Sequence, residues 1–311
     1  MNYPEPPVSP TSLTNDVYRS GFVSIVGKPN AGKSTLLNAI LGQKLSIITP
    51  KAQTTRHRIL GIRSDEAFQM IFLDTPGIIE PKYALHRAMM RSVKNTIQEA
   101  EAIVLLISAD EKHDEADVMK MLQHVKSPIV LAINKVDLST PEKVEEKINK
   151  VKEALPDKIQ ETIAISALHG MNVEGLVSLL VNYLPPGPPY YDPDQLTDRP
   201  ERFFVSEIIR EKIFLNLKEE LPYSSNVEIL VYEDRPTVTY IDAEIHVERQ
   251  SQKGIIIGKK GEMLRKIGTD ARTDIEEMIE RPVFLNLYVR VTDNWKDKDF
   301  YVKNFGYEEG E

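Results

Sequence analysis

A chain of 311 residues with no cysteine has room for about two ordinary domains and can form no disulfide, which excludes the small cross-linked scaffolds. At 41% apolar and 28% charged residues it has a globular composition. No apolar run approaches the ~18 residues of a spanning helix, and a reducing compartment, the cytoplasm, fits the missing thiols. The formal net charge of −8 argues against a general nucleic-acid coat. From Arg249 to Arg272, however, seven basic residues stand against two acidic ones, and phosphate is contacted by local patches rather than by totals.

Residues 1–19 are Pro-rich and polar, with no apolar core for a signal peptide or anchor, and read as a flexible extension. Over 20–184 short Val/Ile/Leu-rich runs (FVSIVG, FQMIFLD, AIVLLIS, PIVLAIN, TIAIS) alternate with helical periods near 33–41, 83–99, 114–125, 141–154 and 173–183. That alternation predicts an α/β doubly wound layer around a mostly parallel sheet, with RHRILGIR from Arg56 as one further edge strand. Residues 185–200 carry many prolines and no period, and read as a linker. Over 201–311 the order becomes helix, two strands, two helices, strand, which is a separate α+β unit.

Gly27-Lys28-Pro29-Asn30-Ala31-Gly32-Lys33-Ser34 fits G-x-x-x-x-G-K-[ST] between a strand and a helix, the context in which backbone N–H groups cradle phosphates. Lys33 supplies a point charge to the β- and γ-phosphates, the Ser34 hydroxyl is a Mg²⁺ ligand, and Thr35 continues the helix start. Asp74-Thr75-Pro76-Gly77 ends a strand, so Asp74 can hold Mg²⁺ through water and the Gly77 N–H can meet the γ-phosphate. By itself that tetrapeptide is ordinary turn chemistry. Between the two motifs, Gln53-Thr54-Thr55-Arg56 offers a hydroxyl to close over the ion, with Thr55 preferred over Thr54.

Asn134-Lys135-Val136-Asp137 closes another strand. Guanine presents a ring N–H and an exocyclic amine on one edge, and the Asp137 carboxylate can accept both, while adenine would leave it facing a lone pair. Asn134 can bridge toward the base and the phosphate loop, and the Lys135 stem can lie along the base plane. Ser166-Ala167-Leu168 can present the Ala167 N–H to the guanine carbonyl. N-K-x-D and S-A-L are weak singly. Their order along the chain and their placement at strand ends point to a GTP-hydrolysing enzyme that cycles between GTP and GDP.

In the last unit Gly258-Lys259-Lys260-Gly261 lies between two helical stretches. A G-x-x-G loop clamps the backbone of unpaired nucleotides, and with the local positive charge it marks a KH fold. The apolar face Met263, Leu264, Ile267, Ala271, Ile275, Met278 and Ile279 reads as core. Trp295 and its Asp/Lys neighbours read as a solvated tail, and the six histidines as surface or capping residues without ligand spacing.

The set GKPNAGKS, QTTRHRILGI, DTPGI, NKVD and SAL resembles the Era group of GTPases, and KAQTTRHRILGI from Lys51 is close to distinctive for it. The likeness runs from about Gly21 to Gly306. It implies a C-terminal KH domain that binds single-stranded RNA near the 3′ end of 16S rRNA, with the small ribosomal subunit as partner and its assembly as function. No DNA partner is expected. Ile78 follows Gly77, where many small GTPases carry a water-orienting glutamine, and the Era group is similar in having an apolar residue there. Asn30 matches the position that ligates K⁺ in potassium-activated relatives, although a turn residue after Pro29 is the equal alternative. Three other readings stay open: a tRNA-modification GTPase, an RNA-binding module with a vestigial nucleotide site, and peripheral contact with the inner membrane.

Overall fold

The computed structural model describes residues 17–110 and 115–307, so the extension expected over 1–19 lies almost wholly outside the described residues. Two compact units divide the chain. The first takes in residues up to Ser46, Thr55–Glu80 and Met90–Asp198; the second takes in Ile47–Thr54, Pro81–Met89 and the chain from Arg199 onward.

In chain order the first part forms β1 (Arg19–Val26), α1 (Lys33–Leu41), β2 (Ile59–Ser64), β3 (Phe68–Asp74), α2 (Ala84–Glu99), β4 (Ala102–Ser108), α3 (Ala116–Leu122), β5 (Ile129–Asn134), α4 (Pro141–Ala154), β6 (Ile159–Ala164) and α5 (Val173–Val181). Six strands make one sheet in the order β2-β3-β1-β4-β5-β6. All neighbours are parallel except the edge strand β2, which runs antiparallel to β3. β3, β4 and β5 are buried along their whole length, because helices cover both faces and unbroken apolar runs satisfy both. The chain leaves β1 toward β3 on one side and toward β4 on the other. That reversal opens a crevice at the carboxyl end of β1, where ligands of such sheets sit.

Within the stretch 185–200, read from the sequence as a Pro-rich linker unlikely to fold alone, the residues up to Asp198 belong to the first unit. The side chain of Gln69, wholly buried, accepts the Tyr190 and Tyr191 N–H groups at 2.7 and 3.0 Å and donates to the Tyr191 carbonyl at 2.9 Å. Further on, the Ile62 N–H donates to the Leu196 carbonyl at 2.8 Å. Proline removes backbone donors but leaves those of Tyr190 and Tyr191, and one buried amide uses both.

The second part runs α6 (Glu201–Asn216), β7 (Asn226–Arg235), β8 (Val238–Val247), α7 (Gln250–Ile257), α8 (Glu262–Ile279), β9 (Val283–Val291) and α9 (Asp299–Asn304). β7 and β8 pair antiparallel, and β9 adds to β8 in parallel. Ile241, Ala243, Ile245 and Val247 alternate along β8 and pack with Ile209, Ile213, Ile267, Ala271 and Ile275 of the helices, the period of two meeting the period of 3.6. One expectation fails here. Trp295 is not in a solvated tail: it is fully buried, donates from Nε1 to the Ser224 carbonyl at 2.9 Å and packs against Phe305 and Tyr307. The charged run around it hid an anchor whose one polar atom is satisfied. Among the described residues no helix is long and apolar enough to cross a membrane.

Candidate functional site

The phosphate loop follows β1 directly. Gly32 has φ 97°, and a Cβ there would stand 2.2 Å from Asn134 Nδ2, so only glycine both turns the chain and admits that amide. Gly77 is pressed against the same loop, where a Cβ would come within 2.7 Å of Pro29. The Ile78 N–H next to it donates to the Gly27 carbonyl at 3.2 Å. Lys33 Nζ donates to the carbonyls of Gly27 and Lys28 at 3.2 and 2.9 Å. Burial pushes its ammonium down to about 8, against the pull of Asp74 and Glu115. Lys28 reaches outward to Asp117 at 3.1 Å, and Asn30 is exposed at φ 64°.

Oxygen ligands converge beside Lys33. Ser34 Oγ lies 2.8 Å from Thr55 Oγ1 and donates to Asp74 Oδ2 at 2.9 Å. Thr54 turns the other way, its hydroxyl 2.6 Å from that of Thr49, so Thr55 is the hydroxyl brought to Ser34. Asp74 is fully buried, which raises its carboxyl above the usual range against the opposing effects of Lys33, Ser34 and Ser46. Its Oδ1 is buried with no side-chain partner among the described residues. Two hydroxyls and a carboxylate with an uncommitted oxygen form the hard-oxygen set that suits a magnesium-class ion. Ser46, which donates to Asp74 Oδ2 at 3.0 Å, was not legible in the sequence, for it lies in an aperiodic stretch. Thr75 spends its hydroxyl on the Ile25 carbonyl at 2.9 Å; it ties the turn to β1 and presents no side chain outward.

At the end of β5, Asn134 Nδ2 donates to the Ala31 carbonyl at 2.9 Å. Its Oδ1 accepts the Ala167 N–H at 2.9 Å. The N–H expected to meet a guanine carbonyl is thus held by Asn134, because the S-A-L turn closes on that amide. Lys135 stands at φ 60° with Nζ 3.3 Å from Asp110 Oδ1. Asp137 lies within 3.7 Å of His169 Nε2, a neighbour the histidine reading missed. Ser166 is buried and Leu168 is exposed.

The second unit holds the other candidate. Gly258 (φ 73°), Lys260 (φ 51°) and Gly261 (φ 78°) turn the chain between α7 and α8, and both lysines of the loop are exposed. A groove of about 420 Å³ runs on from it, lined by Gly261, Leu264, Arg265 and Arg272 of α8 side and by Phe284 and Asn286 of β9. Ile256 is buried in the core while Ile255 is exposed, so the Ile255–Ile257 run divides as its helical phase requires.

Comparison with known proteins finds relatives of both parts of the chain. A family model described as a 50S ribosome-binding GTPase matches residues 22–135, and a KH-domain model matches residues 220–296. GTPase Era of Geotalea uraniireducens (strain Rf4) is 46% identical over 299 residues, covering 95% of this chain and all of that one. Two solved structures are each 41% identical, with a TM-score of 0.89, 94% of this chain and all of theirs covered. One is a variant of Aquifex aeolicus Era bound to GDP and AlF4⁻. The other is Era in complex with MgGDPNP and nucleotides 1506–1542 of 16S ribosomal RNA. With a GTPase model and a KH-domain model matched in one chain at this identity and coverage, the protein belongs to the Era family of GTPases.

Proposed function

We propose that this chain is a GTP-hydrolysing switch that binds single-stranded RNA at the 3′ end of 16S rRNA and assists assembly of the small ribosomal subunit. One observation carries the reading: a hydroxyl-and-carboxylate cluster beside a buried phosphate-loop lysine occurs in the same chain as an exposed G-x-x-G loop with two lysines. The family model with a large-subunit description covers only the nucleotide-binding part. Choice of RNA rests on the second unit, and the relative solved with RNA carries a 16S segment.

In this reading the phosphates of GTP or GDP lie over Gly27–Thr35, and Lys33 exchanges its loop carbonyls for the β- and γ-oxygens. Ser34 and Thr55 would hold Mg²⁺ directly and Asp74 through water; bound there, the ion would neutralise charge on the transferring phosphoryl group. The N–H of Gly77 meets the γ-phosphate and turns its presence into a position of the Asp74–Gly77 turn. Ile78 is buried, 2% exposed, and carries no amide to orient water, so hydrolysis is slow without a partner. Asn30 as a K⁺ ligand belongs to the same proposal. Asp137 selects guanine, and Asn134 joins its loop to the phosphate loop. An RNA of the small subunit as partner implies the cytoplasm as site of action, any membrane contact being peripheral.

The test is a filter-binding titration of the full chain with a single-stranded 16S 3′-end oligonucleotide and with its scrambled sequence, alongside GTP and ATP hydrolysis. The reading expects preference for the first RNA and turnover of GTP alone. Equal binding of both oligonucleotides would leave a GTPase with another RNA.

A further inference from the structure

On β8, Glu244 and His246 alternate and therefore share a face, and Glu228 of β7 pairs directly with Glu244. The face is the one turned away from the helical core. His246 is buried there, its side chain 4% exposed, against the expectation of surface histidines. Glu228 Oε2 lies 3.1 Å and Glu244 Oε2 3.5 Å from His246 Nε2. One donor atom from each of the three residues falls within 4.8 Å of the others.

We propose that Glu228, Glu244 and His246 form a binding site for a zinc-class divalent cation, separate from the nucleotide site. In a tetrahedral zinc site with bonds of about 2.0–2.1 Å, neighbouring ligand atoms stand about 3.3 Å apart. The two distances from Nε2 lie on either side of that value. The other ring nitrogen is already supported: Nδ1 is 2.9 Å from Thr292 Oγ1, and the Phe305 ring packs 4.7 Å from the imidazole. Without a cation, Nε2–H donates to Glu228 and Nδ1 accepts from Thr292. With one, the proton sits on Nδ1 and Thr292 becomes the acceptor, so neither state strands a buried polar atom.

Charge favours the same assignment. Two carboxylates face one neutral imidazole, and the cation beside them is Arg290, whose Nη1 is 3.3 Å from Glu244 Oε2. Arg290 is 65% exposed and can swing into water, leaving that oxygen free. Glu228, 47% exposed, opens the cluster to solvent, so a water can complete the coordination. Imidazole among the ligands selects zinc over magnesium or calcium, which take oxygen.

The test uses the full chain with GDP and excess Mg²⁺, so that the nucleotide site is filled. Zn²⁺ is titrated calorimetrically, and Co²⁺ serves as a probe by its visible absorption. One equivalent of Zn²⁺ should bind and raise the melting temperature. Glu228→Gln and His246→Gln should each weaken binding by more than about tenfold and abolish the thermal shift. Glu228 is half in solvent, so that variant folds; unchanged circular dichroism and GTP hydrolysis would verify it. Arg290→Ala removes the competing cation and should tighten binding, which a stray surface histidine would not do. Zn²⁺ affinity equal in wild type and Glu228→Gln, or no binding in either, overturns the site.

Discussion

The Ala167 N–H donates to Asn134 Oδ1 at 2.9 Å, and the same side chain donates from Nδ2 to the Ala31 carbonyl at 2.9 Å. One amide thus joins the S-A-L turn to the phosphate loop, and Asn134 is almost completely buried. Asn134→Ala would strand a carbonyl and an N–H at once, each worth about 1–3 kcal/mol when buried unpaired. GDP affinity, read by titrating a fluorescent nucleotide, should fall by at least about tenfold. Asn134→Asp should be no better, because a carboxylate would face the Ala31 carbonyl. A loss smaller than twofold in both would show that the bridge is idle.

Asp137 makes a distant contact with His169, which leaves its oxygens available to a base. Asp137→Asn should cost GTP roughly 1–3 kcal/mol, the worth of a two-point base contact. It should gain xanthosine triphosphate, whose 2-oxo group accepts from an amide. Hydrolysis assayed with both nucleotides separates the cases, and unchanged GTP affinity would remove Asp137 from the base site.

The strands and helices along the chain, the phosphate loop and the G-x-x-G turn could be read from the sequence because each depends on local chemistry: apolar runs, glycines at forced turns, a lysine at a helix start. Ser46, Trp295 and His246 could not. Ser46 reaches Asp74 from the irregular stretch after α1, Trp295 is buried by residues distant in sequence, and His246 meets Glu228 only through strand pairing. Each depends on tertiary partners that no window of sequence contains. Ala167 shows a finer limit. Its position in the turn was legible, but the acceptor for its N–H was fixed by how closely that turn packs on β5.

Lys33 gives a pH dependence with a definite sign. In the free site burial lowers its ammonium to about 8, whereas triphosphate beside it would hold the proton to higher pH. Binding above pH 8 therefore takes up a proton. Affinity should be level below that point and decline by up to about tenfold per pH unit above it. Calorimetry in buffers of different ionisation enthalpy would count the proton directly. A level affinity to about pH 9.5 would mean that Lys33 is already fully charged in the free site.

Potassium provides a further check on the phosphate loop. Asn30 is exposed at φ 64°, a conformation that Asn tolerates as a turn residue without any ion. If its side chain also holds K⁺, hydrolysis in NaCl should be slower than in KCl for the wild type and equal in both salts for Asn30→Ala. Ile78→Ala should affect turnover far less than Lys33→Ala or Thr55→Ala. Equal wild-type rates in the two salts would leave Asn30 a turn residue.

The two lysines of the G-x-x-G turn separate the work of the two units. Lys259 and Lys260 are exposed, with Lys260 held at φ 51° by the turn, so both ammonium groups are free to meet phosphate. Each lysine that neutralises a phosphate of single-stranded RNA adds about 0.7 to the slope of log affinity against log salt. Lys259→Asp with Lys260→Asp replaces two attractions by repulsions. RNA affinity should drop and the salt dependence should flatten by about twice that amount. The nucleotide residues proposed above are Gly27–Thr35, Thr55, Asp74–Gly77, Asn134, Lys135, Asp137 and Ser166–Leu168, none of them in this turn. GTP affinity and basal hydrolysis of the double variant should therefore stay near wild type, while Lys33→Ala should lose nucleotide affinity. Filter binding at several salt concentrations gives both quantities in one experiment. If the double variant binds the 16S 3′-end oligonucleotide as tightly as wild type with the same slope, the turn does not clamp RNA, and the groove between α8 and β9 would have to bind it without the loop.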